Sequence, residues 1–298
     1  MIPYDQLRSR LRGLGTALIT PFMPDESIDY GAIRNLIGMQ LNAGTDFLVI
    51  LGTTAETPTL SLAEEERIIS TVVNEVAGKI PIVVGVGGNG TSRVIEKLQQ
   101  MDLTGIDAIL SVCPYYNKPS QEGLYQHFYA ISKASLLPII LYNVPARTSV
   151  NMLPETTLRL AHDCPNIIGI KEASGIVSQA DLIIKQRPNG FLVYSGDDAI
   201  AYPLVAMGAD GVVSVIGNAY PTDFAKMIHA ALAGDLSAAL PIHHKFKDVY
   251  PLLFKEGNPA GIKCLMTLMG LIQEQLRLPL VPVSNGLRQE IQATIAAI

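Results

Sequence analysis

The chain of 298 residues contains no tryptophan, and aromatic residues make up only 6% of it. Charge is sparse as well: 16% of residues are charged, with 22 Lys+Arg against 27 Asp+Glu and a formal net charge of -5. No basic patch dominates, which excludes the electrostatic footprint of a nucleic-acid binder. There are three cysteines, Cys113, Cys164 and Cys264. An odd number at wide spacing excludes a disulfide framework and a CxxC metal or redox site, and it makes a reducing cytoplasm the expected compartment. No stretch approaches the ~20 consecutive apolar residues of a spanning helix, so no membrane partner is expected. The opening MIPYDQLRSRLRG has no apolar segment ahead of a small-residue cleavage site, so no signal peptide is expected either.

Apolar residues are abundant. They make up 48% of the chain, enough to exclude intrinsic disorder and to fill a large core. Short β-branched runs recur at Gly15–Thr20, Phe47–Leu51, Pro81–Gly85, Ala108–Val112, Pro138–Tyr142, Ile167–Ile170, Phe191–Ser195 and Gly211–Val215. Their starts lie about 28 residues apart, and none alternates with polar residues, as expected of strands buried on both faces. Helical periodicity fills the intervals at Ala63–Val76, Thr91–Met101, Gln121–Ser135, Pro154–His162, Val177–Lys185, Ala199–Met207 and Thr222–Ala233. The first of these follows a capping-box pattern, Ser61 with Glu64.

Strand then helix, repeated, reads as a parallel α/β fold. A doubly wound sheet is the alternative. Eight near-equal units and the lack of a GxGxxG after the first strand favour a closed (β/α)8 TIM barrel. After about Gly234 the strand-like runs stop. Three helical stretches, Leu236–Phe254, Pro259–Leu271 and Leu287–Ile298, form a C-terminal appendage. The expected division is a barrel over residues 1–233 that carries the active site, and a small C-terminal helical region over 234–298.

In such a barrel the chemistry gathers where strands end, on the C-terminal face. The second strand runs into Gly52-Thr53-Thr54-Ala55-Glu56-Thr57, which puts two hydroxyls on a turn at the mouth. The fourth runs into a proline-flanked pair, Tyr115-Tyr116. The fifth runs into Tyr142 and, five residues on, Arg147, whose guanidinium suits a carboxylate. The sixth ends in Lys171 after an apolar run. Such a lysine is either structural, snorkelling or paired with Glu172, or it is a nucleophile, because desolvation there favours the neutral amine that attacks a carbonyl. Asp197 and Asp198, after the seventh strand, read as helix caps or as metal ligands. The five histidines all fall in helical segments without ligand spacing, and the GVGGNG at 85–90 lacks the Lys-Ser/Thr ending of a P-loop.

Taken together, GTTAET at 52–57, PYYNKPSQEGLYQHF at 114–128, LYNVPARTS at 141–149, IIGIKEASG at 167–175 and SGDD at 195–198 resemble the class I, Schiff-base-forming pyruvate aldolases. Within them the resemblance is to the dihydrodipicolinate synthase family, which condenses pyruvate with aspartate semialdehyde in the lysine (diaminopimelate) route. The resemblance implies that Lys171 forms the imine. It implies that Thr53, Tyr142 and Tyr116 relay protons, with Tyr116 reaching into the neighbouring subunit's site. It also implies that Thr54 binds the pyruvate carboxylate, that Arg147 holds the aldehyde substrate's carboxylate, and that Gly196 and Val213 line the site. No cofactor beyond the covalent imine is implied. The implied assembly is a homotetramer built from dimers, with a dimer as the smaller option.

Two positions depart from the family pattern. Ala55 stands where Gly is usual, which is tolerable only if the backbone is not left-handed. Ser149 also replaces Gly. In the family, lysine inhibits some members at positions matching Thr57, Leu62, Glu65, Asn89, Arg93 and Tyr115. Arg93 replaces the glutamate that meets the effector's ammonium, so weak or absent lysine inhibition is expected. The rivals are N-acetylneuraminate lyase or a keto-deoxy-sugar-acid aldolase, which share the lysine but favour a polyhydroxylated substrate, and a non-catalytic keto-acid-binding barrel.

Overall fold

The computed structural model describes residues 4–298. Eight parallel strands close into a barrel in sequence order: β1 Gly13–Ala17, β2 Phe47–Ile50, β3 Ile82–Gly85, β4 Ala108–Val112, β5 Ile139–Asn143, β6 Ile167–Glu172, β7 Leu192–Ser195 and β8 Gly211–Ser214. The ring shuts where β1 pairs with β8, Gly13 opposite Gly211 and Thr16 opposite Ser214. This is the expected (β/α)8 architecture. Strand edges fall within two residues of the apolar runs except at β1, which begins at Gly13 rather than Gly15 and ends at Ala17 rather than Thr20.

Each helix expected between strands is present. Ser61 accepts from the Glu64 N–H while the Glu64 carboxylate accepts from the Ser61 N–H, so the capping box is present and starts the helix at Leu62, one residue before the expected Ala63. The stretch Ala199–Met207 is shorter than expected: a 3-10 turn, Asp198–Ile200, precedes the helix Ala201–Ala206. Two helices longer than one turn lie outside the segments expected from the sequence. One is Tyr4–Arg10. The other, Tyr30–Ala43, is marked mainly by its ends: Asp29 accepts from the Ala32 N–H, and Gly44 closes the helix at φ 80.

Two apolar layers hold the barrel. Outward-facing Leu48, Ile50, Ile109, Ile139, Leu141 and Val193 join the core beneath the helices. Inward-facing Phe47, Val49, Val83, Leu110, Ile140 and Leu192 fill the barrel, and Leu7 and Leu11 of the N-terminal segment close its floor. The Tyr194 hydroxyl donates to the Leu11 carbonyl at 2.9 Å and ties that floor down. The interior is therefore packed solid below the mouth.

Beyond the barrel, Leu236–Phe254 is two helices rather than one, Leu236–Lys245 and Val249–Leu252. Pro251 has no N–H to give the helix, and its ring crowds the carbonyl four residues earlier, which accounts for the break. Helices Ala260–Leu268 and Asn285–Ala296 complete the chain. Among the described residues no helix is long and apolar enough to cross a membrane.

Arg277 fastens this C-terminal region to the barrel. Its guanidinium donates to Glu64 at 2.6 and 2.9 Å, to the Glu26 carbonyl at 2.7 and 3.0 Å and to the Thr59 carbonyl at 3.0 Å. The hydrogen bonds from Arg277 pull the Glu64 carboxyl down to about 2. Stability from a lowered carboxyl is fully present above its unfolded value and is lost as pH falls through the folded one. Arg277→Gln is therefore expected to flatten the unfolding free energy of the protein between about pH 4.5 and pH 2, measured by urea denaturation across that range. An unchanged profile would show that Glu64 draws nothing from the contact.

Candidate active site

One irregularity in β6 sets the site. The register between β5 and β6 runs Ile139 with Ile167 and then jumps to Ile140 with Gly169, leaving Ile168 without a partner. Side chains alternate faces along a strand, so one extra residue reverses every later position. Ile168 accordingly sits in the inner layer while Ile170 joins the outer core. Lys171 then turns inward. Gly169 permits the tight packing this needs, because a Cβ there would lie 2.7 Å from the Leu192 carbonyl oxygen.

Lys171 is 6% exposed, and its ammonium lies 4.4 Å from the centre of the Tyr142 ring, a residue paired with it across β5 and β6. No hydrogen bond or ion pair ties it among the described residues. The structural reading, a pair with Glu172, does not hold, because Glu172 faces the other way. Its carboxylate accepts from Asn143 at 3.0 Å, Gln179 at 3.0 Å and the Ser174 N–H at 2.6 Å. Gly196 gives the lysine room: a Cβ there would come within 3.1 Å of Lys171 Cε and 2.5 Å of the Ala173 Cβ. Val213 is buried in the inner layer on β8.

A cavity of about 580 Å³ opens at this mouth, lined among others by Thr53, Tyr115, Tyr142, Arg147 and Asn258, while Lys171, Thr54, Gly196 and Val213 lie outside its lining. Thr53 and Thr54 lie on the 3-10 turn Thr53–Ala55 that follows β2. Ala55 is helical and buried, so the condition on its methyl is met; the left-handed residue is the next one, Glu56, at φ 56. Ser149 does hold a left-handed angle, φ 59, as the cap of the short helix Pro145–Thr148 that carries Arg147. Tyr116 stands apart. It is 88% exposed, with φ 73, and does not join the cavity of its own chain.

Asn258 is the residue that the sequence did not reveal. It is buried, its side-chain amide donates to Thr54 Oγ1 at 3.0 Å, and its main-chain carbonyl accepts from Arg147 at 3.2 Å. One residue from the C-terminal region thus touches both carboxylate-binding candidates, Thr54 through its side chain and Arg147 through its backbone. An Asn-Pro pair at a helix start was the only local signal. The aspartates after β7 serve as ties: Asp197 accepts from the Ala199 N–H, and Asp198 from the Val215 and Ile216 N–H groups. Burial pushes the Asp198 carboxyl up to about 6 against those hydrogen bonds. Among the described residues no three His, Cys, Asp or Glu side chains converge on a common point as ion ligands.

A closed barrel with an unpaired inward lysine beside a tyrosine, and with hydroxyl and guanidinium groups across one cavity, defines a lyase of the class I aldolase type. The comparisons narrow this class. Residues 10–298 match the Dihydrodipicolinate synthetase family. The 4-hydroxy-tetrahydrodipicolinate synthase of Parabacteroides distasonis is 59% identical over 91% of this chain and 92% of that protein. The same enzyme of Phocaeicola vulgatus is 57% identical over 97% of each chain. The crystal structure of the chloride-inhibited dihydrodipicolinate synthase of Acinetobacter baumannii, complexed with pyruvate, superposes with a TM-score of 0.93 at 39% identity, covering 96% of this chain and 98% of that one. The chain belongs to the dihydrodipicolinate synthetase family.

Gly169→Ala is expected to lower stability by roughly 1–3 kcal/mol, because its methyl has no room against the β7 backbone. Chemical denaturation checks this, and a variant as stable as the parent would contradict the close approach that turns Lys171 inward.

Proposed function

We propose that this chain condenses pyruvate with aspartate semialdehyde to 4-hydroxy-tetrahydrodipicolinate, with Lys171 as the nucleophile. The observation that carries the reading is the buried Lys171 amine, without an ion-pair partner among the described residues and set beside Tyr142. The neutral amine attacks the ketone carbon of pyruvate, and loss of water gives the protonated imine. The imine draws electrons from the methyl carbon, which loses a proton to become an enamine. The enamine carbon attacks the aldehyde carbon, and the new alkoxide takes up a proton. The substrate's own amine then adds to the imine carbon, expels Lys171 and closes the six-membered ring. Lys171 supplies the only covalent attachment, so no cofactor is needed.

Thr53, Tyr142 and Tyr116 are assigned the proton relay, since protons must leave and return at several steps. Thr54 is assigned the pyruvate carboxylate, and Arg147, on the far side of Asn258, the carboxylate of the aldehyde. Gly196 and Val213 are assigned the wall beside the imine. Tyr116 fits a role in a neighbouring copy: it is a large aromatic side chain held outward on a left-handed backbone. The working assembly is accordingly a homotetramer made of two dimers, with the dimer as the smallest active unit.

Turnover of both substrates, followed by coupling to a reductase that consumes reduced nicotinamide cofactor, tests the assignment. Lys171→Ala is expected to fall to the background rate, and Arg147→Ala to raise KM for the aldehyde about tenfold or more. Cleavage of sialic acid by the parent at a rate matching the condensation would overturn the choice of aldehyde.

The expected insensitivity to lysine has added support. Lys97 already occupies the buried Glu65 carboxylate at 2.7 Å, so a second cation joins Arg93 in that region. Sub-millimolar lysine is expected to leave the condensation rate unchanged, and strong inhibition there would contradict the reading.

A further inference from the structure

Glu56 and Lys263 form an ion pair whose side chains are both fully buried. Glu56 joins two 3-10 turns, Thr53–Ala55 and Thr57–Thr59, and as a non-glycine residue at φ 56 it sits in a backbone region that side chains disfavour. Lys263 belongs to the C-terminal helix Ala260–Leu268. The pair is enclosed. Glu56 also accepts from the Arg277 N–H at 3.1 Å, Lys263 also donates to the Gln275 carbonyl at 2.9 Å, and the Lys263 ammonium lies 4.2 Å from the centre of the Phe22 ring. Burial lowers the Lys263 ammonium to about 8 against the opposing pull of Glu56.

Taking two charges out of water costs roughly what their attraction returns, and an apolar pair of the same volume commonly does as well for stability. What a buried pair supplies beyond that is direction, because each charge accepts its partner in one place only. Here the direction is imposed at the residue that ends the Thr53–Ala55 turn. The same C-terminal segment holds the turn a second time, through the Asn258 amide on Thr54 Oγ1. We propose that Glu56 and Lys263 are positioning residues, which hold the Thr53–Thr54 hydroxyls in reacting geometry and so make the C-terminal helical region a working part of the active site. This rests on the assignment of Thr53 and Thr54 to the substrates.

The test is the double variant Glu56→Gln with Lys263→Met in the full-length protein, which removes both charges and keeps the volume. A positioning role predicts a thermal midpoint near the parent's, a kcat about tenfold or more lower and a higher KM for pyruvate, because small displacements of reacting groups are costly. A purely structural role predicts the reverse, a lower midpoint with kcat and KM kept, and that result would overturn the proposal. If the double variant does not fold, Glu56→Asp keeps both charges and shortens the reach by one methylene, so the turn must shift to keep the contact. It is then expected to lose several-fold in kcat/KM while remaining folded, and an unaltered kcat/KM would overturn the proposal. A parent that fails to turn over the two substrates points to a wrong reading of the function itself. A parent that turns over and is matched by the double variant points to a wrong reading of the pair alone.

Discussion

The site depends on a single extra residue in β6. A strand that alternates strictly would carry Ile168 and Ile170 into the barrel and leave Lys171 outside, against the helices. The jump from Ile139–Ile167 to Ile140–Gly169 reverses that order, and the lysine arrives on the inner face. Inside, the lower barrel is filled by apolar side chains, and among the described residues no carboxylate pairs with the amine.

The second requirement is a rigid mouth. Loops at the ends of parallel strands have few ladder bonds of their own, and here the order comes from across the chain. Arg277 clamps the loops around Glu26, Thr59 and Glu64, Lys263 locks the joint after the threonine turn, and Asn258 spans Thr54 and Arg147. The C-terminal helices are small beside the barrel, but they supply contacts that the barrel loops cannot make for themselves.

Much of this was legible in the sequence. Unalternating apolar runs gave the strands, and polar residues placed just after them gave Lys171, Tyr142, the Thr53–Thr54 turn and Arg147. The capping box at Ser61 placed a helix start to within one residue. Other features left little local trace. The helix Tyr30–Ala43 shows itself mainly in its two end residues, Asp29 and Gly44. The β6 irregularity is a glycine in an apolar run, indistinguishable in sequence from a regular strand. Asn258 and the Glu56–Lys263 pair join segments some two hundred residues apart, and nothing in either segment names the other.

The central claim is that Lys171 is the nucleophile, and reductive trapping tests it most directly. The protein is incubated with pyruvate, reduced with borohydride and digested, and the peptides are weighed. The account predicts one reduced pyruvate per chain, on the peptide containing Lys171, and none in Lys171→Ala. A pyruvate adduct on another lysine, or none from the folded parent, would contradict it.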